Sequence, residues 1–166
     1  MAYRNDRTWS DQFIPAIRAV VGPLLVVESS IDVDREEATD LLVFTARDLR
    51  IAARVRKASY LTRFPDEFTI RWKRDNGAQT EFAKIARGWA NWLFYGFGED
   101  GTLAAWRVID LDEFRFALIR FGLQSKKAPY RVLSNGDGTE FAAFDVREFD
   151  ASLVVAESGH SARSGR

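Results

Sequence analysis

The chain has 166 residues, 46% of them apolar and 29% charged, with 24 basic and 24 acidic side chains, one histidine and no cysteine. That length and composition fit one globular domain able to bury a core unaided, and they exclude disulfides, Cys-held zinc or iron–sulfur clusters and a thiol nucleophile. The lone His160 lies in a polar tail, which leaves no basis for a His-rich metal site or a Ser-His-Asp triad.

Residues 10–21 carry Phe13, Ile14, Ile17, Val20 and Val21 at three- and four-residue spacing, which predicts a helix. Pro15 is tolerated only in its first turn, so the regular part begins near Ile14, and Gly22-Pro23 stops it. Leu24–Val27 reads as a short strand and the acidic stretch 29–39 as a loop. Leu41-Leu42-Val43-Phe44 is continuously apolar, the pattern of a central strand buried on both faces. Residues 49–57 alternate, with Arg50, Arg54 and Arg56 on one face. Phe68–Arg74 alternates as well, with Thr69, Arg71 and Lys73 opposite Phe68, Ile70 and Trp72.

Thr80 is a good N-cap for a helix over Glu81–Arg87, with Glu81 and Arg87 suited to its two ends. Strands follow at 93–97 and 103–109 around the Glu99-Asp100-Gly101 turn. A helix then runs from a cap at Asp112 to Phe121, closed by Gly122. The last pair of strands, 130–133 and 140–144, flanks Ser134-Asn135-Gly136-Asp137-Gly138, a hairpin turn. The expected fold is therefore α+β, a mixed sheet flanked by helices with a C-terminal β-hairpin. Residues 1–156 form a single domain in this reading, and 157–166 a disordered tail.

Net charge is zero only in sum. Residues 47–87 hold eleven bases against five acids, while 28–40 hold one base against six acids. Either the blocks neutralise each other, or the basic one is open to a polyanion. Nineteen of the 24 bases are Arg, the side chain that forks onto phosphate. Arg54, Arg56, Arg71 and Lys73, with Tyr60 for stacking, are the candidate nucleic-acid-binding residues; the alternative is a set of solvated strand faces. The aromatic middle, Trp72, Trp89, Trp92, Phe94, Tyr95, Phe97 and Trp106, reads as core, with Tyr60 and Tyr95 the expected exceptions. Gly96-Phe97-Gly98 lacks the Lys and Ser/Thr of a phosphate loop.

Asp40 immediately precedes the apolar strand, Arg54-Val55-Arg56 lies on the next, and Glu81 and Lys84 lie one turn apart on the following helix. This order resembles the PD-(D/E)XK nuclease superfamily, whose motif is an Asp at the start of one strand and Glu/Asp-x-Lys on the next. The resemblance implies a nuclease-like core over residues 10–110. Here Arg54 stands where the second acid belongs and Arg56 where the Lys belongs. The resemblance then implies a metal-dependent phosphodiesterase, if the second acid has moved to the helix. Asp40 and Glu81 would hold Mg²⁺, with Lys84 or Arg56 as the charge partner. In the bland alternative Asp40 pairs with Arg54 or Arg56, and Glu81 is only a first-turn acid. The run TDLLVF…RIAARVRK…FTIR…GAQTEFAKI also resembles small proteins of phages and prophages, which implies a viral accessory origin. Two functions follow as expectations. One is a nuclease-like domain that binds or hydrolyses nucleic acid. The other is a non-enzymatic counter-defence protein that binds a host protein. No apolar run reaches membrane-spanning length, and the N-terminal MAYRNDRTWSDQ lacks a signal-peptide core, so the expected location is the cytoplasm of the host cell.

Overall fold

Short-range signals in the chain place most of its elements, and long-range pairing assembles them. The computed structural model describes residues 8–28, 41–43, 49–73, 79–124, 130–135 and 138–158. They fall into two units, one made of residues 1–49 with 100–102, the other of residues 50–99 with 103–166.

In the first unit, helix α1 (Ile14–Val21) carries Pro15 in its first turn, where the missing N–H costs nothing. Phe13, Ile17 and Val21 are buried, while Ile14 is exposed, so the apolar stripe is narrower than its spacing suggests. A single turn of 3-10 helix, Gly22–Leu25, displaces the expected strand start. Strand β1 (Val26–Glu28) pairs antiparallel with β2 (Leu41–Val43). Among the described residues β2 has β1 as its one partner, in a two-stranded sheet, and is not a central strand.

The second unit contains two further sheets. The first has the order β3–β5–β6–β9, from β3 (Ile51–Lys57), β5 (Trp92–Glu99), β6 (Thr102–Asp110) and β9 (Val154–Glu157). The second is antiparallel, β4–β8–β7, from β4 (Glu67–Lys73), β7 (Tyr130–Ser134) and β8 (Glu140–Asp145). Strands β3 and β5 are parallel, with Arg54 opposite Tyr95 and Arg56 opposite Phe97. Parallel neighbours need a crossover, and β4 with helix α2 (Glu81–Ala86) supplies it. The two-residue connection Asp100-Gly101 has positive φ at both positions, the mirror-image turn that joins hairpin strands. The mixed α+β character expected from the element order is present. The one mixed sheet expected is not: β3 belongs to one sheet of this unit and β4, paired with β8, to the other.

One core joins both sheets of this unit to helix α3 (Leu111–Leu123). Phe68 stacks on Phe144 at 5.2 Å between ring centroids, and Phe114 meets Phe144 edge-on at 4.9 Å. The cap of α3 is Asp110 rather than Asp112: its carboxylate accepts from the N–H groups of Asp112 and Glu113. The helix passes through Gly122 without stopping and ends at Leu123. Arg115 reaches from α3 to the carbonyls of Ile85 and Ala90, covering the C-terminal end of α2. The tail expected over 157–166 does not include Glu157 and Ser158. Glu157 belongs to β9, opposite Arg107, and the Ser158 N–H donates to the Trp106 carbonyl. His160 and the residues after it lie outside the described residues.

Candidate nucleic-acid interface

The basic block of the sequence is carried by β3, the turn after it, β4 and α2. Parallel register puts Ala52, Arg54 and Arg56 on the same side of the sheet as Leu93, Tyr95 and Phe97, which are core residues. The Arg face of β3 is therefore directed toward the second sheet, not laid flat in water.

Arg54 shows the consequence. Its guanidinium donates to the Thr69 carbonyl at 3.0 Å and Oγ1 at 3.3 Å, and lies 3.5 Å from Glu81 Oε2. Glu81 Oε2 also accepts the Arg71 backbone N–H at 3.0 Å. Residues 69 and 71 have the same parity on β4, so the Thr69 carbonyl and Arg71 N–H point to one edge, away from β8. Arg54 and Glu81 thus satisfy the β4 groups that a further strand would have satisfied, and pair with each other while doing so. The Thr69 hydroxyl continues the chain to the Tyr95 hydroxyl at 3.2 Å. Tyr95 is fully buried, which corrects its expected exposure.

The expected catalytic set is not assembled among the described residues. Asp40 lies outside them. Glu81 is spent on Arg54 and β4. Lys84, one turn along α2, lies over the Trp89 ring at 5.6 Å instead of partnering Glu81. Trp89 is 52% exposed, an exception to the aromatic core that the sequence did not single out. Among the described residues no three His, Cys, Asp or Glu side chains are placed to share a metal.

The candidate binding residues separate into two groups. Arg54 and Arg71 flank the Phe141 ring at 4.8 and 5.4 Å, and Lys73 pairs with Glu140 at 3.4 Å. Arg54 and Lys73 are therefore neutralised. Arg56 has no carboxylate partner among the described residues; its guanidinium lies 4.0 Å above the centre of the exposed Tyr60 ring. Arg50, Lys57, Arg63, Lys84 and Arg87 likewise make no ion pair with a described residue. The acidic block of the sequence lies almost wholly outside the described residues; the acids that pair with Arg54 and Lys73 are Glu81 and Glu140.

A second charged cluster lay beyond sequence reasoning. Arg107 is buried on β6, 3.6 Å from Glu157 and 3.9 Å from Asp66, and donates to the Pro65 carbonyl. Arg147 bridges Asp66 and Asp145. Hydrogen bonds from Arg147 hold the Asp145 carboxyl below its usual range, against the opposing effect of burial. Its members come from four separate segments, and its one sequence signal is the Arg in the apolar run 103–109.

No helix of the described residues is long and apolar enough to cross a membrane. No family model, curated protein or solved structure matches the chain.

Proposed function

We propose that the unit containing residues 50–99 and 103–166 is a nuclease-like domain of the phage or prophage kind that binds nucleic acid without hydrolysing it. The carrying observation is the set of cations between residues 50 and 87 that have no acidic partner among the described residues: Arg50, Arg56, Lys57, Arg63, Lys84 and Arg87. Unneutralised Arg and Lys gain by contact with phosphates and by release of the counterions held there. Within this unit the order β3, α2 and a β5 parallel to β3 supports the likeness to part of the PD-(D/E)XK core. Hydrolysis is disfavoured on chemical grounds. A Mg²⁺ held by Asp40 and Glu81 would compete with the Arg71 N–H and Arg54 for the same Glu81 oxygen. The Arg54 guanidinium, 3.5 Å from that oxygen, would repel the ion.

The test is retention of labelled oligonucleotides with and without Mg²⁺. Expected are salt-sensitive binding, no cleavage, and the same affinity in Glu81→Gln. Cleavage that Glu81→Gln abolishes would restore the metal-dependent reading. One observation favours the protein-binding alternative, a counter-defence role: Phe116, Ile119 and Leu123 are exposed along one face of α3. That reading gains if no polyanion is bound.

A further inference from the structure

We infer that the nucleic acid this domain takes is unpaired, and that its bases stack on Tyr60 in the turn after β3; this rests on the nucleic-acid reading above. The turn combines a rigid frame with an exposed ring. The Leu61 N–H donates to the Ala58 carbonyl at 2.9 Å, and the Tyr60 carbonyl accepts from Arg63 at 3.2 Å and Phe64 at 3.0 Å. Leu61 packs against the core, which fixes the segment from below. Tyr60, its neighbour, is turned out and 37% exposed.

Cations are stacked on the rings of this segment. Arg56 lies over one face of the Tyr60 ring at 4.0 Å, and Phe64 is approached by Arg63 at 5.5 Å and Arg131 at 5.1 Å. Arg131 is already engaged by Glu67. Arg56 and Arg63 have no carboxylate among the described residues. A guanidinium held by a ring rather than by an acid keeps its N–H edge for a phosphate. The segment thus offers an aromatic platform with phosphate donors beside it, the pairing that serves single strands. A duplex conceals its base faces and would use the cations while gaining nothing from the ring. Unpaired DNA and RNA share this chemistry.

The experiment is fluorescence anisotropy with fluorescein-labelled dT15, rU15 and a 15-bp DNA duplex, at one salt concentration. Wild-type protein should bind one or both single strands about tenfold more tightly than the duplex. Tyr60→Ala should lose about tenfold on the single strand and leave the duplex unchanged, whereas Tyr60→Phe keeps the preference. Arg56→Ala should weaken both. Far-UV circular dichroism of each variant establishes that it is folded, and Tyr60→Leu supplies an apolar replacement if the alanine variant is not. The dT15 and rU15 arms separate DNA from RNA. Equal or tighter duplex binding, or a Tyr60→Ala loss common to both forms, overturns the single-strand inference while the nucleic-acid reading stands. No binding of any of the three probes overturns the reading itself.

Discussion

Glu81→Ala separates a structural acid from a metal ligand. In the wild type the carboxylate accepts the Arg71 N–H at 3.0 Å, lies 3.5 Å from the Arg54 guanidinium and sits in the first turn of α2. A hydrogen bond to a charged group contributes about 1.5–3 kcal/mol. The ion pair, with both side chains about a fifth exposed, is discounted to about 0.5 kcal/mol. The acid at the helix N-terminus adds about 0.3–1 kcal/mol. These terms share one carboxylate and do not add in full, so the expected loss is about 2–3 kcal/mol. Glu81→Gln keeps an acceptor for the Arg71 N–H and should lose about half as much. Urea unfolding monitored by tryptophan fluorescence measures both variants. A double-mutant cycle with Arg54→Met should give a stabilising coupling energy. If Glu81→Ala unfolds within about 0.5 kcal/mol of wild type while Mg²⁺ binding is lost, the edge-covering role is wrong and Glu81 is a metal ligand.

Three further outcomes test the local chemistry. Thr80→Ala removes the hydroxyl that accepts the Ala83 N–H and should destabilise by about 1 kcal/mol, with Thr80→Ser close to wild type in the same urea titration. Gly122→Ala should stabilise by about 0.5–1 kcal/mol in thermal melts, because Gly122 is helical and nothing lies within 4 Å of an added Cβ. A loss there would mean that the helix ends at Gly122 after all. The Asp145 carboxyl is held below its usual value of 3.8 in the folded protein, first by hydrogen bonds from Arg147. Its stabilising contribution is therefore complete above the ordinary carboxylate range and is lost as pH falls through the lower, folded value. Asp145→Asn should flatten the stability profile below about pH 4 and leave its alkaline limb unchanged; an acid limb identical to wild type contradicts this.

Local chemistry made part of the fold legible. Thr80 three residues before Ala83 and the Asp100-Gly101 turn each act within a few residues, and each is found where its sequence places it; the strands expected on either side of 134–138 pair antiparallel as β7 and β8. Strand β9 was not legible because Val154–Glu157 is short and pairs with β6, nearly fifty residues earlier. The division into separate sheets was hidden for the same reason: β3 and β4 alternate alike, and partner choice alone sends one to β5 and the other to β8. For the site, spacing correctly put Arg54 and Arg56 on one face. It could not show that this face turns toward the core, which neutralises Arg54 and leaves Arg56 on Tyr60. Tyr95, expected as an exception to the aromatic core, lies inside β5 and is buried, because its hydroxyl has a buried partner in Thr69.

The most direct test of the account is the salt dependence of oligonucleotide binding by wild-type protein and by the Arg56→Ala/Arg63→Ala double variant. If these cations meet phosphates, log K should fall linearly with log salt, and the double variant should be weaker with a slope shallower by about 1–2 units. Binding that is absent, or equal in strength and slope for the two proteins, would contradict the claim that the open cations of the β3 turn form the interface.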